Sequence, residues 1–235
     1  MNSPHSTPPA TPPLVSVITV VRNGKATIQR CIESVLAQTY RAVEHIIVDG
    51  NSTDGTVELL RSHGARIGPW ISEPDSGIYD ALNKGLGLAR GEYYIPLGCD
   101  DALLPTAAQD LVAGAGSHMV VMGKVVCIDR SGERRHIYNH SAGVLIRMCA
   151  HAELGLYDDS YRIAADTKFL QLAERRSYVK RIDSIVGEFV LGGASSNYRK
   201  NIVEHARAMQ ESGSWSPLRS KIWVMPRLIY AKLRQ

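Results

Sequence analysis

Short apolar runs that favour β-strands alternate with a stretch of helical periodicity at the start of the chain. Residues 15–21 and 45–48 form the first two runs, and a third ends at Leu97. Between the first two, apolar side chains recur at helical spacing over residues 28–36. This order is typical of parallel strands joined by right-handed crossovers. The chain is therefore predicted to form an α/β fold whose first half contains a parallel sheet.

Two adjacent carboxylates, Asp100 and Asp101, follow the third run. In an open α/β sheet, ligands bind just beyond the carboxyl ends of the strands. Paired acids at that edge form a hard-oxygen site, which suits a divalent cation that carries a phosphate-containing substrate. The alternative is a solvated turn before a helix that Pro105 opens. For an isolated Asp-Asp pair this alternative is the commoner case.

The other predicted elements follow from periodicity and turn chemistry. Ser52 or Thr53 is the candidate cap of a helix that runs to about Ser62, and a further helix begins near Ile78 and stops at Gly91. A hairpin-like turn at residues 129–132 predicts that the later part of the sheet is partly antiparallel. Strands are expected at residues 119–128 (bent at Gly123), 144–146 and 178–190, and helices at 103–113, 149–154, 166–175 and 201–211.

Composition fits one soluble domain, with 44% hydrophobic and 21% charged residues in a chain of 235. Residues 1–13 hold five prolines and are predicted to be a disordered leader, residues 14–215 a single domain, and residues 216–235 a basic tail. No apolar run is long enough to span a membrane, and no secretory signal is recognisable. The four cysteines lack metal-type spacing. These features predict a cytoplasmic protein with reduced thiols.

The tail carries the basic character of the chain. The net charge is +4, and residues 217–235 contain five basic side chains and no acid. A body so close to neutral argues against a nucleic-acid surface and favours a local anionic partner. One helical face of the tail is apolar and comprises Leu218, Ile222, Met225, Ile229 and Leu233. This face suits an anionic membrane surface; the alternative is that it packs on the domain or on a second subunit of a homodimer. Pro226 is expected to interrupt the helix.

Six motifs occur in a fixed order along the chain. They are VITVVRN (17–23), SVLAQTY (34–40), IVDGNSTDGT (47–56), WISEPDSGIYDALNKG (70–85), LGCDD (97–101) and YRIAAD (161–166). Together they resemble the family 2 glycosyltransferases with the GT-A fold, in particular bacterial enzymes that build lipid-linked cell-surface polysaccharides such as O-antigen. The resemblance covers residues 15–175. It implies a Rossmann-like mixed sheet flanked by helices.

The resemblance implies an inverting transfer of one sugar from a nucleotide-sugar, a UDP-sugar by preference, to a polyprenyl-diphosphate-linked or oligosaccharide acceptor. Such an enzyme would work at the cytoplasmic face of the inner membrane. Asp101 would ligate Mn²⁺ or Mg²⁺, which neutralises the leaving diphosphate. Asp100 would lie beside the ribose or the metal, and Asp49 would hold the nucleotide base. Asp75, Asn83 and Lys84 would line the same pocket, although Asp75 also suits a structural cap.

The acceptor hydroxyl loses a proton as it attacks, so a nearby carboxylate base is required. Asp166 matches the base of the resembling family. Its alternative role is that of an acid at a helix N-terminus, where the helix dipole favours negative charge without any catalytic duty. His140 matches a histidine on the acceptor side of the family's site, and its alternative is a structural histidine.

Two residues depart from the family pattern. Gly50 stands where many relatives have a second acid, and Arg22 stands where an aromatic residue often precedes the asparagine. Both border the expected base pocket and weaken the prediction that the donor carries uridine. Two other functions remain open. A sugar-phosphate nucleotidyltransferase would carry a Gly-rich basic signature near its first strand, which residues 22–25 barely provide. A non-catalytic nucleotide-sugar-binding scaffold would not need the acids that this chain retains.

Overall fold

A mixed sheet of eight strands, with helices on both faces, organises the computed structural model, which describes residues 11–129, 131–193 and 198–233. Its strand order is β3-β2-β1-β4-β7-β6-β8-β5. Most of the predicted leader, residues 1–10, lies outside the described residues, as do the last two residues of the tail.

The first half of the chain builds the parallel part of the sheet. Its elements are β1 (Val15–Val21), α1 (Ile28–Leu36), β2 (Val43–Asp49), α2 (Thr56–His63), β3 (Trp70–Ser72), α3 (Ile78–Leu88) and β4 (Tyr93–Gly98). β1 pairs in parallel with both β2 and β4, and β2 pairs in parallel with β3. The predicted parallel sheet is thus confirmed.

The second half adds the antiparallel part. Its elements are β5 (Ala102–Leu103), α4 (Ala107–Ala115), β6 (Val120–Ile128), β7 (Arg134–Arg147), α5 (Ala150–Leu154), α6 (Ala165–Arg175), β8 (Val179–Val190), α7 (Tyr198–Glu211) and α8 (Pro217–Leu233). β7 is antiparallel to both β4 and β6, whereas β6 and β8 are parallel. The pairing of β6 shifts its register beside Gly123, where a bend was predicted.

Four predicted boundaries are wrong. Residues 102–103 form a strand because they pair with Glu188 and Gly187 of β8, so α4 starts only at Ala107. Residues 144–146 are the end of the long β7. Neither Ser52 nor Thr53 caps α2: Asp54 accepts the Thr56 N–H at 3.0 Å. α3 ends at Leu88, before Gly91.

Pro226 was expected to interrupt the helix of the tail, but α8 continues through it. Packing compensates for the backbone hydrogen bond that a proline removes. Trp223 packs against Trp215 and against His205 of α7, with ring centroids 5.3 Å apart in both pairs. None of the helices described here is both long and apolar enough to cross a membrane.

Two apolar clusters hold the helices against opposite faces of the sheet. Alternation along a strand places neighbouring side chains on opposite faces. Val17 of β1 accordingly packs with the cluster under α1 and α4, and Ile18 packs with the cluster under α3 and α6. α3 approaches β1 closely at Gly85, where a Cβ would lie 2.4 Å from the Ile18 side chain. This contact places the loop before α3 at the carboxyl end of the parallel strands.

Candidate active site

A cavity of about 720 Å³ opens where β1 and β4 end. Of the residues predicted from sequence, Asp75, Asp100, Asp101, His140 and Asp166 line it. The parallel half of the sheet supplies the first three, and β7 and α6 supply the last two. The cavity therefore joins residues as far apart in the chain as Asp75 and Asp166, which are 91 positions apart.

Asp101 is almost enclosed, with 4% of its surface exposed. Its Oδ1 accepts the backbone N–H of Val190, at the end of β8, at 2.9 Å. Burial, and then the nearby charge of Asp100, raise the pKa of Asp101 to about 7, although the Val190 N–H works in the opposite direction. A carboxylate in this setting gains from a compensating positive charge.

Asp100 is less buried than Asp101, and a hydrogen bond holds its backbone carbonyl. Arg30 donates to the Asp100 carbonyl at 2.8 Å and forms an ion pair with Glu188 at 2.8 Å. Nothing in the described part of the chain donates a hydrogen bond to the Asp100 carboxylate. The Asp100 side chain lines the cavity, where a ligand can contact it.

The two carboxylates fit a divalent cation. A Cβ built on Gly98 would lie 2.7 Å from Asp101 Oδ2 and 3.0 Å from Asp100 Oδ1, so these two oxygens converge beside the glycine. Converging anionic oxygens are the donors that Mg²⁺ and Mn²⁺ prefer. Within residues 11–129, 131–193 and 198–233 no group of three or more His, Cys, Asp or Glu forms a complete metal site. The remaining ligands would then be water and substrate oxygens, as is usual for Mg²⁺.

Asp166 lies in the first turn of α6. Its Oδ1 accepts the Tyr79 hydroxyl at 3.0 Å and the Thr167 N–H at 2.7 Å. Burial, followed by the charge of Asp166, raises the pKa of Tyr79 well above its usual value. The phenol therefore stays protonated and donates a hydrogen bond to Asp166. Oδ2 of Asp166 has no donor among the described residues and can accept a proton from a substrate hydroxyl.

His140 is neutral in this setting. Burial lowers its pKa, and the charge of Asp166 only partly opposes this. The Ala142 N–H donates to Nδ1 at 3.2 Å, so the ring proton resides on Nε2. The ring packs on Phe189, with centroids 4.0 Å apart. His140 can thus offer one N–H donor to a ligand.

Asp49 does not line the cavity. It is fully buried, and its carboxylate accepts the Ser52 N–H at 3.0 Å, the Ser52 hydroxyl at 2.5 Å and the Ser72 hydroxyl at 2.6 Å. With these three donors it orders the loop after β2. The structure thus gives Asp49 a role in supporting this loop, and its contact with a nucleotide base stays a prediction.

Asn83 and Lys84 also lie outside the cavity. The Asn83 amide exchanges two hydrogen bonds with the backbone of Tyr157, at 2.8 and 3.1 Å. Lys84 donates to the Pro74 carbonyl at 2.8 Å and pairs with Glu73 at 2.9 Å and Asp80 at 3.5 Å. Their side chains fasten the loops around the cavity, which corrects the prediction that they line it.

Tyr79 is the main site residue that sequence reasoning missed. It shares a face of α3 with Leu82 and Leu86 and is 4% exposed. A tyrosine at a buried position usually finds a partner for its hydroxyl. That expectation is the signal that could have pointed to Asp166.

Comparison with known proteins identifies the family. The model of glycosyl transferase family 2 matches residues 16–177. The chain belongs to that family. An uncharacterized glycosyltransferase of Mycobacterium tuberculosis is 30% identical over 211 residues, which are 81% of this chain and 80% of that protein. A glycosyltransferase of Mycobacterium bovis BCG named for PGL/p-HBAD biosynthesis is 30% identical over 67% of this chain and 68% of its own length.

Solved structures show the GT-A fold for this glycosyltransferase. TarS of S. aureus (residues 1–349, in complex with UDP) superposes with a TM-score of 0.69 at 15% identity and covers 92% of this chain and 70% of its own. The mannosyltransferase PcManGT from Pyrobaculum calidifontis, in complex with GDP-Man and Mn²⁺, superposes with a TM-score of 0.69 at 17% identity. The match covers 94% of this chain and 70% of PcManGT. The predicted fold class and the predicted family are both confirmed.

Proposed function

We propose that this glycosyltransferase moves one sugar from a nucleotide-sugar donor to a hydroxyl of a lipid-linked or oligosaccharide acceptor, with inversion at the anomeric carbon. One observation carries the proposal: a single cavity holds the Asp100–Asp101 pair and the hydrogen-bonded Asp166. The pair suits the diphosphate end of a donor. Asp166 suits the hydroxyl end of an acceptor.

Asp100 and Asp101 would hold Mn²⁺ or Mg²⁺ through the oxygens that converge beside Gly98. When bound, the cation would neutralise charge on the leaving diphosphate. Asp101, the ligand predicted from sequence, has one oxygen committed to Val190, whereas both carboxylate oxygens of Asp100 lack a donor among the described residues. Of the two predicted positions of Asp100, beside the ribose or beside the metal, we therefore favour the metal.

Asp166 would be the general base. Its Oδ2, to which no described residue donates, would take the proton of the acceptor hydroxyl while the acceptor oxygen bonds to the anomeric carbon and the bond from that carbon to the diphosphate breaks. Tyr79 and Thr167 keep the carboxylate oriented through Oδ1. A single displacement with one base inverts the anomeric centre. His140 would offer its Nε2–H to the acceptor.

The acceptor side continues into a basic groove of about 380 Å³. Its lining residues are Arg162, Arg199, Lys200, Val203, Glu204 and Leu228. Arg162 donates to the Ser76 carbonyl, and the next residue, Ile163, lines the main cavity, so the groove and the cavity adjoin. Cations beside apolar side chains suit the diphosphate and the first isoprene units of a polyprenyl-diphosphate-linked acceptor.

The apolar face of α8 would bind an anionic membrane from the cytoplasmic side. Leu218, Ile222, Met225 and Ile229 are 68%, 65%, 57% and 56% exposed. Arg219 and Lys221 flank this face. Basic amphipathic helices of this kind lie in the interface of anionic bilayers. Such binding would bring the groove close to a lipid-linked acceptor.

Donor turnover tests the transfer itself. The full-length protein with Mn²⁺, a nucleotide-sugar and bacterial lipid-linked acceptors should release a nucleoside diphosphate. Release of pyrophosphate in a separate mixture of a nucleoside triphosphate and a sugar 1-phosphate would instead indicate a nucleotidyltransferase. Asp166→Asn should lower kcat by about 10²–10⁴-fold, which is the usual contribution of a general base. Asp159→Asn, an exposed acid outside the cavity, is the matched control. Turnover by Asp166→Asn equal to that of the control would refute the assigned mechanism.

Flotation with liposomes tests the membrane surface. Because Ile222 and Met225 are exposed, Ile222→Glu combined with Met225→Glu should abolish flotation with anionic liposomes without unfolding α8. Leu156→Glu alters a side chain that is 61% exposed elsewhere and should leave flotation intact. If the double variant floats like the wild type, the membrane assignment fails. If it instead converts a dimer into a monomer, the face belongs to a second subunit.

A further inference from the structure

The two residues that depart from the family pattern lie together at one end of the cavity. A Cβ on Gly50 would be 2.1 Å from Asp75 Oδ2 and 3.5 Å from Arg22 Cβ. The Asp75 carboxylate therefore rests directly on the glycine, in the space that a second acid after β2 would fill. Asp75 and Arg22 both line the cavity.

Neither charged group is paired with any of the residues that the structure describes. No described residue donates a hydrogen bond to the Asp75 carboxylate, and the described carboxylates all lie beyond ion-pair distance of the Arg22 guanidinium. Asp49, which was predicted to hold the base, is buried and already has three donors. Among the described carboxylates at this end of the cavity, Asp75 is thus the one that accepts no hydrogen bond from a described donor.

We infer that Asp75 and Arg22 recognise the base of the donor and that this base is guanine. The inference rests on the proposed function, because it names the donor of that same site. Guanine presents two N–H donors side by side, at N1 and N2, and two acceptors, at O6 and N7. A carboxylate can accept from both donors, and a guanidinium can donate to both acceptors.

Other bases satisfy this pair less completely. Uracil and thymine have one N–H at N3, flanked by carbonyl oxygens, so one carboxylate oxygen would lose its partner. Adenine and cytosine present a ring nitrogen lone pair where guanine has N1–H, and this lone pair would face the carboxylate. Each bidentate contact discriminates between bases by about tenfold or more. A GDP-sugar, not a UDP-sugar, is therefore the expected donor.

Nucleotide binding to the full-length protein with Mn²⁺, measured by calorimetry, tests the inference. GDP should bind at least about tenfold more tightly than UDP, TDP or ADP. Inosine diphosphate lacks only the N2 amino group and should bind several-fold more weakly than GDP. Equal or tighter binding of UDP would overturn the base assignment and leave the proposed function intact. If none of the nucleotides binds, both the inference and the proposed function fail.

Two variants address the residues themselves. Asp75→Asn should reduce GDP affinity about tenfold and change UDP affinity less, because an NH₂ donor replaces one of the two acceptor oxygens and would face an N–H of guanine. Gly50→Ala removes no charge, yet its new methyl group displaces the Asp75 carboxylate and should produce the same loss of preference. Asp159→Asn is again the control. If both variants fold and retain full preference for GDP, Asp75 does not recognise the base.

Discussion

Protonation of Asp101 is coupled to folding. Its pKa is about 7 in the folded protein and near 4 when unfolded. Between these two pH values the folded state binds more protons than the unfolded state, so the free energy of unfolding of the metal-free protein falls as pH rises from 4 to 7. Asp101→Asn should remove this decline while still accepting the Val190 N–H.

The size of that effect is measurable. In chelator, Asp101→Asn should be more stable than the wild type at pH 8 by on the order of 3 kcal/mol, and close to it at pH 4.5. Urea unfolding at the two pH values provides the measurement, with Asp159→Asn as the control for a change of surface charge. An Asp101→Asn advantage that is the same at both pH values would contradict the coupling.

Tyr79 positions Asp166 through one hydrogen bond to a charged group. Such bonds contribute about 1.5–3 kcal/mol. Tyr79→Phe should therefore lower kcat about tenfold and leave KM nearly unchanged, because the acceptor still binds while the base is less well oriented. Tyr178→Phe also removes a hydroxyl bonded to a carboxylate, but on the surface at Glu153, and should keep wild-type kinetics. A larger change in KM than in kcat would assign Tyr79 to substrate binding instead.

At the scale of elements, the contact of α3 with β1 fixes the cavity. A Cβ at Gly85 would lie 2.4 Å from Ile18, whereas a Cβ at Gly87 meets nothing within 4 Å. Gly85→Ala should therefore destabilise the protein by about 1–3 kcal/mol through overpacking. Gly87→Ala, two residues on in the same helix, should stabilise it by about 0.5–1 kcal/mol. Chemical unfolding of both variants would show whether α3 packs on β1 as described, and equal effects would contradict that packing.

The sequence predicted those elements whose apolar pattern and turn residues lie within a few neighbouring positions. The strands β1, β2 and β4 and the acids after them followed from apolar runs and turn residues. β5 was missed because two residues carry no periodicity, and their partners in β8 lie more than eighty positions away. The loop-fastening roles of Asn83 and Asp49 were hidden for a similar reason. Tyr157, the partner of Asn83, is 74 positions further along the chain, and burial of Asp49 depends on β3.

For the whole molecule, donor binding should link the two halves of the chain. A nucleoside diphosphate with Mn²⁺ at a hundred times its Kd should stabilise the fold by about 2.7 kcal/mol. For a chain of this size that corresponds to a rise in Tm of about 5–10 °C. Thermal unfolding with and without chelator measures it, and the matching nucleoside serves as the control. A rise in Tm that persists in chelator would show that the Asp100–Asp101 pair holds no metal for the nucleotide.

The sheet changes from parallel to antiparallel pairing where β4 meets β7. Arg22, Asp75, Asp100 and Asp101 all precede residue 102, whereas His140 and Asp166 come from the later strands and helices. With the proposed roles of these residues, each substrate would be bound by its own contiguous stretch of the chain. Mutation or recombination can exchange the acceptor while the activated sugar stays the same, and the reverse exchange is equally open. A scaffold divided in this way can change the specificity of a glycosyltransferase one substrate at a time.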